Sequence, residues 1–275
     1  MKAKPTVAYL GPAGTFTQAA ALNHFGDTIT LKSCVTIGDV FTRVESGAVD
    51  FGVVPVENST EGIVNNTQDC LVDSKVKICG EEIIPIHHHL LVDASSPDMT
   101  IKRIASHQQS LAQCRGWLQK HYPDVELVEC SSNAEAAASV DADNGTAAIA
   151  GDLAAATYHL HVRDRAIQDQ DHNSTRFLIL GSDPVPATGR DKTSVLIYTA
   201  NKPGALFRVL EPFENLQISL TKIDSRPSKR QAWEYVFFID FEGHEADARV
   251  QDLFARLADR TEEIKVLGSY PAFAK

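Results

Sequence analysis

The stretch GSDPVPATGR, Gly181 to Arg190, divides this chain into two unlike parts. It holds glycine, proline and small polar residues with no helical or strand period, which is the composition of a linker. Upstream, apolar runs alternate with amphipathic stretches. Thr6–Leu10, Leu31–Val35 and Phe51–Val56 read as strands, and Thr15–Phe25 and Ile37–Ser46 between them as helices. Phe51–Val56 is nearly all apolar, which predicts a strand covered on both faces. The pattern continues through strands at Ile83–Val92, Ile104–Ser106, Glu126–Cys130 and Ala147–Ala150. Helices at Leu111–His121, Ala134–Val140 and Leu153–Tyr158 separate most of them. Alternation of this kind predicts an α/β fold with mainly parallel sheets.

Downstream of the linker the period changes. Thr193–Thr199 reads as a strand, and Leu206, Val209, Leu210 and Phe213 recur at i, i+3, i+4 and i+7, the spacing of an amphipathic helix. Ile218–Asp224 and Trp233–Phe241 are strand-like. Val250, Leu253, Phe254 and Leu257 repeat the helical spacing, and Ile264–Tyr270 closes with a strand. The order βαββαβ is the ferredoxin-like α+β unit. Its sheet keeps one face and its edges open, which predicts pairing with a second copy.

The bulk numbers fit this division. A chain of 275 residues suggests about two domains, and 43% apolar with 23% charged residues is ordinary for a soluble globular protein. A formal net charge of -10 argues against nucleic-acid and membrane-surface roles, and means that an anionic ligand would have to be attracted locally. Five cysteines (Cys34, Cys70, Cys79, Cys114, Cys130) are an odd number without paired spacing, as expected of reduced thiols in a cytoplasmic protein. Met1-Lys2-Ala3-Lys4-Pro5 leads into a strand and not into a signal-peptide core. No apolar run approaches the length of about 20 residues that spans a bilayer.

Four polar clusters sit where apolar runs end: Gly11-Pro12-Ala13-Gly14-Thr15-Phe16, Pro55-Val56-Glu57-Asn58-Ser59, Ser106-His107-Gln108-Gln109 and Asn173-Ser174-Thr175-Arg176-Phe177. The rims of α/β sheets are where such folds build their sites, and four turns can converge on one small anion. Each cluster also has a purely structural reading. Gly-x-x-Gly is a tight turn. Asn58 and Ser59 can cap a following helix, whose start would offer N–H groups to a carboxylate. Ser106 reads as an N-cap, with Gln113 seven positions along on nearly the same helix face. Thr175 could be a plain strand-end threonine, and Arg176 a surface arginine or a planar fork for a carboxylate. His87-His88-His89 lies in a strand-like run, where alternation sets His88 opposite its neighbours. Two histidines without a third ligand do not make a metal site. No nucleophile–base pair, metal-ligand spacing or Walker-type phosphate loop is present, so neither metal nor cofactor is expected.

Taken in order, Tyr9 through Phe16, Pro55 through Ser59, Ser106-His107-Gln108 through Gln113-Cys114, and Asn173 through Phe177 resemble prephenate dehydratase. The C-terminal part resembles that family's ACT regulatory domain, with Pro203-Gly204-Ala205-Leu206 and Asp224-Ser225-Arg226-Pro227 as its two signature turns. Asp224 departs from the glutamate usual at that position. The resemblance implies a two-lobed catalytic domain over residues 1–182, similar to periplasmic binding proteins. Lobe 1 would take about 1–78 and 166–182 and lobe 2 about 79–165, with crossings near Lys75–Glu81 and Ile167. A linker over 183–192 and an ACT domain over 193–275 would follow. The implied reaction converts prephenate to phenylpyruvate, carbon dioxide and water. Thr175 would act at the departing oxygen, with Asn58, Gln113 and Ser106 as further catalytic residues. Gly14, Thr15, Glu57, Ser59, Asn173, Arg176 and Phe177 would bind substrate. L-Phenylalanine would act as effector at the ACT turns, in a homodimer or homotetramer joined through both domains. No chorismate mutase segment precedes the first strand, so a monofunctional enzyme is expected. Arogenate dehydratase, or a non-catalytic small-acid sensor with an amino-acid-responsive tail, are the alternatives.

Overall fold

The computed structural model describes residues 4–200, 202–228 and 234–273. It separates into two compact units, Met1–Gln68 with Glu82–Phe177, and Asp69–Glu81 with Leu178–Lys275.

The first unit opens with β1 (Thr6–Leu10), α1 (Phe16–Phe25), β2 (Thr30–Cys34), α2 (Ile37–Glu45) and β3 (Phe51–Asn58). β1 pairs in parallel with both β2 and β3. Val7, Ala8, Val53 and Val54 are fully buried, as their unbroken apolar runs require. α2 starts where it does because Thr36 and Asp39 form a reciprocal cap: Asp39 N donates to Thr36 Oγ1 at 3.1 Å and Thr36 N to Asp39 Oδ2 at 3.0 Å. It buries Ile37, Val40, Phe41 and Val44, one stripe at i, i+3, i+4 and i+7. A two-residue strand β4 (Gly62–Ile63) follows; α3 (Asn65–Asp73), β5 (Lys77–Pro85) and the returning β11 (Ser174–Gly181) each belong partly to the first unit and partly to the second. The sheet order is β2-β1-β3-β11-β5, with β4 beside β3.

A second sheet is built from β6 (His89–Asp93), β7 (Arg103–His107), β8 (Glu126–Cys130), β9 (Thr146–Ala150) and β10 (Leu160–Asp164), in the order β10-β6-β9-β7-β8. Helices α4 (Gln108–Gln113), α5 (Arg115–His121), α6 (Asn133–Ala138) and α7 (Asp152–Thr157) connect its strands. β7 runs parallel to β8 and β9, whereas β6 is antiparallel to β9 and β10. The expectation of mainly parallel sheets is corrected here to mixed sheets. β6 begins at the crossing between sheets and must run away from it, while the helix-connected strands run back toward it. The expected strand Ile83–Val92 is two strands for the same reason. β5 stops at Pro85, which has no N–H to give, and residues 86–88 carry the chain from one sheet to the other. The crossings therefore lie at 86–88 and 165–173, downstream of Lys75–Glu81. Ile86 N donates to Asn173 O and Ile167 N to His88 O, each at 2.8 Å, which ties the two crossings together. The expected helix Leu111–His121 divides at Cys114, where φ is -109° and ψ 13°.

The second unit contains β12 (Asp191–Tyr198), α8 (Ala205–Asn215), β13 (Leu220–Pro227), β14 (Tyr235–Glu242), α9 (Ala248–Ala258) and β15 (Glu263–Pro271). This is the expected βαββαβ order; Trp233, where the fourth element was expected to begin, lies outside the described residues. The antiparallel sheet runs β13-β14-β12-β15. Val195, Ile197, Ile239 and Phe241 from its covered face meet Val209 and Phe213 of α8 and Val250, Leu253 and Leu257 of α9. Residues 69–81 are fastened to this sheet by lysines. Lys192 Nζ reaches both oxygens of Glu81 at 2.7 and 2.9 Å. Lys265 Nζ donates to the carbonyls of Leu71, Val72 and Ser74 at 2.9, 2.7 and 2.6 Å, satisfying acceptors that the end of α3 leaves open. Among the described residues no helix is long and apolar enough to cross a membrane.

Candidate active site

In the first unit, a cavity of about 480 Å³ opens where strands from the two sheets end. Leu10 closes β1, Asn58 closes β3, His107 closes β7, and Gly151 follows β9; Thr175 enters from the start of β11. Carboxyl ends of parallel strands are where open α/β sheets place ligands.

Thr175 is 9% exposed and, with Phe177, faces the cavity. Asn58 Nδ2 donates to Thr175 Oγ1 at 2.9 Å and to Asn173 Oδ1 at 2.8 Å. Asn173 Nδ2 donates to Gln113 Oε1 at 3.0 Å. Gln113 Nε2 donates to Thr60 Oγ1 at 3.0 Å, and Thr60 Oγ1 to Asn58 Oδ1 at 2.7 Å. Asn58, Asn173, Gln113 and Thr60 thus form a closed ring in which every donor points the same way round, an arrangement in which each bond polarises the next. His88, 1% exposed, meets Gln113 Oε1 through Nε2 at 2.9 Å, and its ring stands edge-on to Phe16. The Thr175 hydroxyl accepts from Asn58 and faces the cavity with its own proton available.

The other expected residues are placed differently. Gly14 (φ 87°) and Thr15 line the cavity, but the Gly14 N–H is taken by Gln18 Oε1 at 2.6 Å, and Thr15 caps α1. Asn58 and Ser59 do not open a helix. Asn58 Oδ1 accepts the N–H groups of Thr60 and Glu61, each at 3.0 Å, in a turn leading to β4, and α3 starts only at Asn65. Ser59 is a staple: its Oγ donates to His172 O at 3.0 Å and accepts from Ser174 N at 2.9 Å. Ser106 is not an N-cap. It is a fully buried β7 residue whose Oγ reaches Ile149 O at 2.7 Å and Asn133 Oδ1 at 3.0 Å; the α4 cap is His107. Ser106 and Gln113 therefore share no helix face. Arg176 and Glu57 do not line the cavity. Alternation along β11 turns Arg176 away from the face that carries Thr175 and Phe177.

Among the cavity or network residues outside the sequence expectations are Thr60, Glu61, His88 and Asn133. Asn133 Oδ1 is held by Ser106 Oγ, Ser110 Oγ (2.9 Å) and His107 N (3.2 Å), which leaves its amide N–H groups for the cavity. The signal for it was Ser131-Ser132-Asn133 directly after a strand. Among the described residues no lysine or arginine lines the cavity, and the one carboxylate among them belongs to Glu61. Burial pushes the His88 imidazole below its ordinary value, so it is neutral at pH 7, with the Gln113 contact opposing the shift. Behind the wall, burial pushes the Cys114 thiol up to about 12, which excludes a thiolate nucleophile. Among the described residues no group of three or more His, Cys, Asp or Glu side chains converges as a metal site would require.

The second unit has a smaller cavity of about 250 Å³ lined by Gly204, Ala205 and Leu206 together with Lys202, Tyr235 and Phe237. Gly204 precedes α8 with φ 77°, a left-handed conformation natural to glycine; Pro203 stands outside the lining. Asp224, Ser225, Arg226 and Pro227 lie on β13, one strand beyond the lining residues: Ser225 pairs with Phe237 and Pro227 with Tyr235. Arg226 forms an ion pair with Asp69 at 2.9 Å. Within one chain the two turns do not share this cavity.

Comparison with known proteins agrees with this architecture. The prephenate dehydratase family profile matches residues 7–185 and the ACT domain profile residues 193–259. A bifunctional chorismate mutase/prephenate dehydratase of Pseudomonas aeruginosa is 54% identical over 265 residues, covering 96% of this chain and 73% of that protein. The crystal structure of prephenate dehydratase from Arthrobacter aurescens in complex with L-Phe is 35% identical, with a TM-score of 0.87, and covers 97% of this chain and 90% of that one. A structure of GqqA, described as a novel type of quorum quenching acylase, is 26% identical with the same TM-score of 0.87, covering 98% of each chain. The chain belongs to the prephenate dehydratase family and carries that family's catalytic part followed by an ACT domain.

Proposed function

We propose that this chain catalyses the decarboxylating dehydration of prephenate to phenylpyruvate, carbon dioxide and water, under inhibition by L-phenylalanine at the ACT domain. The observation that carries the catalytic reading is the Thr175 hydroxyl, oriented by Asn58 with its proton available at the cavity. The reaction needs no covalent intermediate. The bond to the ring carboxylate breaks, its electron pair enters the ring, and hydroxide leaves from the opposite carbon as the ring becomes aromatic. One proton must reach that oxygen to complete water. A threonine hydroxyl is a weak acid, so Thr175 serves as a hydrogen-bond donor to the departing oxygen and passes on a proton drawn from solvent. Neutral donors hold the two carboxylates, the Asn133 amide and Ser132 hydroxyl among them, since no lysine or arginine among the described residues lines the cavity. Phe16, Ile86 and Phe177 supply apolar walls for the ring.

We assign residues 1–182 to the catalytic domain, 183–192 to the linker and 193–275 to the ACT domain. The phenylalanine reading is supported by the bound relative from Arthrobacter aurescens and by the cavity at Gly204. A homodimer or homotetramer would set the β13 turn of one copy beside the Gly204 cavity of another. The five cysteines, all free thiols, fit a cytoplasmic location. Supplying prephenate and arogenate separately and identifying the products tests the substrate. Phenylpyruvate from prephenate is expected; consumption of arogenate alone, with phenylalanine as product, would replace the reading with arogenate dehydratase.

A further inference from the structure

We infer that His88 is a positioning residue: as the neutral Nε2–H tautomer it fixes the Gln113 amide and, through the ring of amides, the direction of the Thr175 hydroxyl. This assignment rests on the dehydratase reading of the same cavity.

The sense of the ring is determined at two points by groups with only one possible role. Backbone N–H groups of Thr60 and Glu61 point at one end of the Asn58 amide, so that end is the oxygen. The Glu61 carboxylate, 3.2 Å from the Gln113 amide, accepts only, so the Gln113 atom facing it is nitrogen. The Asn58 nitrogen must then face Thr175 and Asn173, and the Gln113 oxygen must face Asn173 and His88. An amide oxygen cannot donate, so His88 Nε2 carries the proton. Nδ1 is then a bare lone pair, and it is buried without a hydrogen-bond partner.

A buried polar atom left unpaired in an otherwise satisfied network calls for a reason. Here the reason is at Nε2: the ring is held so that its single proton meets Gln113. The backbone serves the same end, since His88 N donates to Gln168 Oε1 at 3.0 Å and His88 O accepts from Ile167 N at 2.8 Å. Gln113 has all its amide valences engaged within the protein, as has Asn58. Neither has a donor left for substrate, Asn173 lies outside the cavity lining, and the proton that the network presents to the cavity is that of Thr175. Without the His88 proton, Gln113 Oε1 loses one of two donors and the amide can turn, carrying Asn173 and Asn58 with it.

The test uses the full chain with ¹⁵N-labelled histidine, together with steady-state kinetics on prephenate. The imidazole signal absent from His88→Gln is expected to report the neutral Nε2–H tautomer. His88→Gln, which can place a donor near the Nε2 position, should keep kcat within about tenfold of wild type. His88→Asn, which is too short to reach Gln113, should lower kcat by about 10²-fold with KM little changed, the effect of a misplaced catalytic group. An Nδ1–H tautomer would overturn the assignment whatever the variants do, including a His88→Asn chain that fails to fold. Equal kcat for the Gln and Asn variants would overturn it too. A wild-type chain inert toward prephenate would overturn the proposed reaction instead, and the tautomer alone would then decide the role of His88.

Discussion

Thr175 is where the chemistry concentrates, and the rest of the cavity can be understood as what that hydroxyl needs. Replacing it by alanine removes the donor that the amide ring orients at the cavity. Thr175→Ala is expected to lower kcat by about 10²–10³-fold at unchanged melting temperature, while Thr175→Ser keeps most of the rate; stopped assays of phenylpyruvate formation check both. A second residue-scale outcome concerns His88. Its folded pKa lies below the ordinary value because burial disfavours the charged ring. The neutral form is therefore favoured in the folded state, and that contribution is complete above the unfolded pKa of about 6.5 and lost as pH falls from there through the folded pKa. Thermal melts between pH 7 and 5 should show stability falling, and His88→Gln should fall less steeply. The clusters holding Thr175, Asn58 and Asn173 were visible in the sequence because each lies at the end of an apolar run, whereas Gln113, inside α4, was singled out only by its spacing from Ser106 and by the resemblance. Ser106 was misread because a serine before a helix and a serine at the end of a buried strand look alike; only the contact with Ile149 distinguishes them. Thr60 and His88 were illegible in role, since each acts only where distant segments close the ring.

The elements of the second unit were legible almost throughout, because its helices show clean i, i+3, i+4, i+7 stripes and its strands are bounded by turns. Upstream of the linker, β4, α3 and β10 escaped the pattern. β4 has two residues, and α3 reads Asn-Asn-Thr-Gln-Asp-Cys-Leu-Val-Asp, with little apolar period. Where α8 begins, Gly204 combines a left-handed φ of 77° with a place in the cavity lining. Gly204→Ala should cost about 1–2 kcal/mol through the left-handed backbone. It should also raise the phenylalanine concentration needed for half-inhibition, with the basal rate nearly kept. Equal loss of basal rate and inhibition would make the turn purely structural.

At the scale of the molecule, the lysines that fasten residues 69–81 onto the second unit's sheet are integral to stability. Lys192 and Glu81 expose only 14% and 1% of their side chains. Removing the ammonium from so buried a pair takes away the countercharge of the Glu81 carboxylate, which keeps the Phe273 N–H at 3.0 Å, so Lys192→Met should lower unfolding stability by about 3–5 kcal/mol in denaturant titrations. The fold alone does not choose the reaction, since a protein described as an acylase shares it at a TM-score of 0.87. The choice comes from the cavity, which offers an oriented hydroxyl and amides but no activated nucleophile. The most direct test is the rate of phenylpyruvate formation from prephenate by the purified chain, with and without millimolar phenylalanine. Rapid turnover that phenylalanine suppresses and that Thr175→Ala lowers by about 10²–10³-fold is the expected result; absence of turnover in the folded wild-type chain, or full activity in Thr175→Ala, would contradict the account.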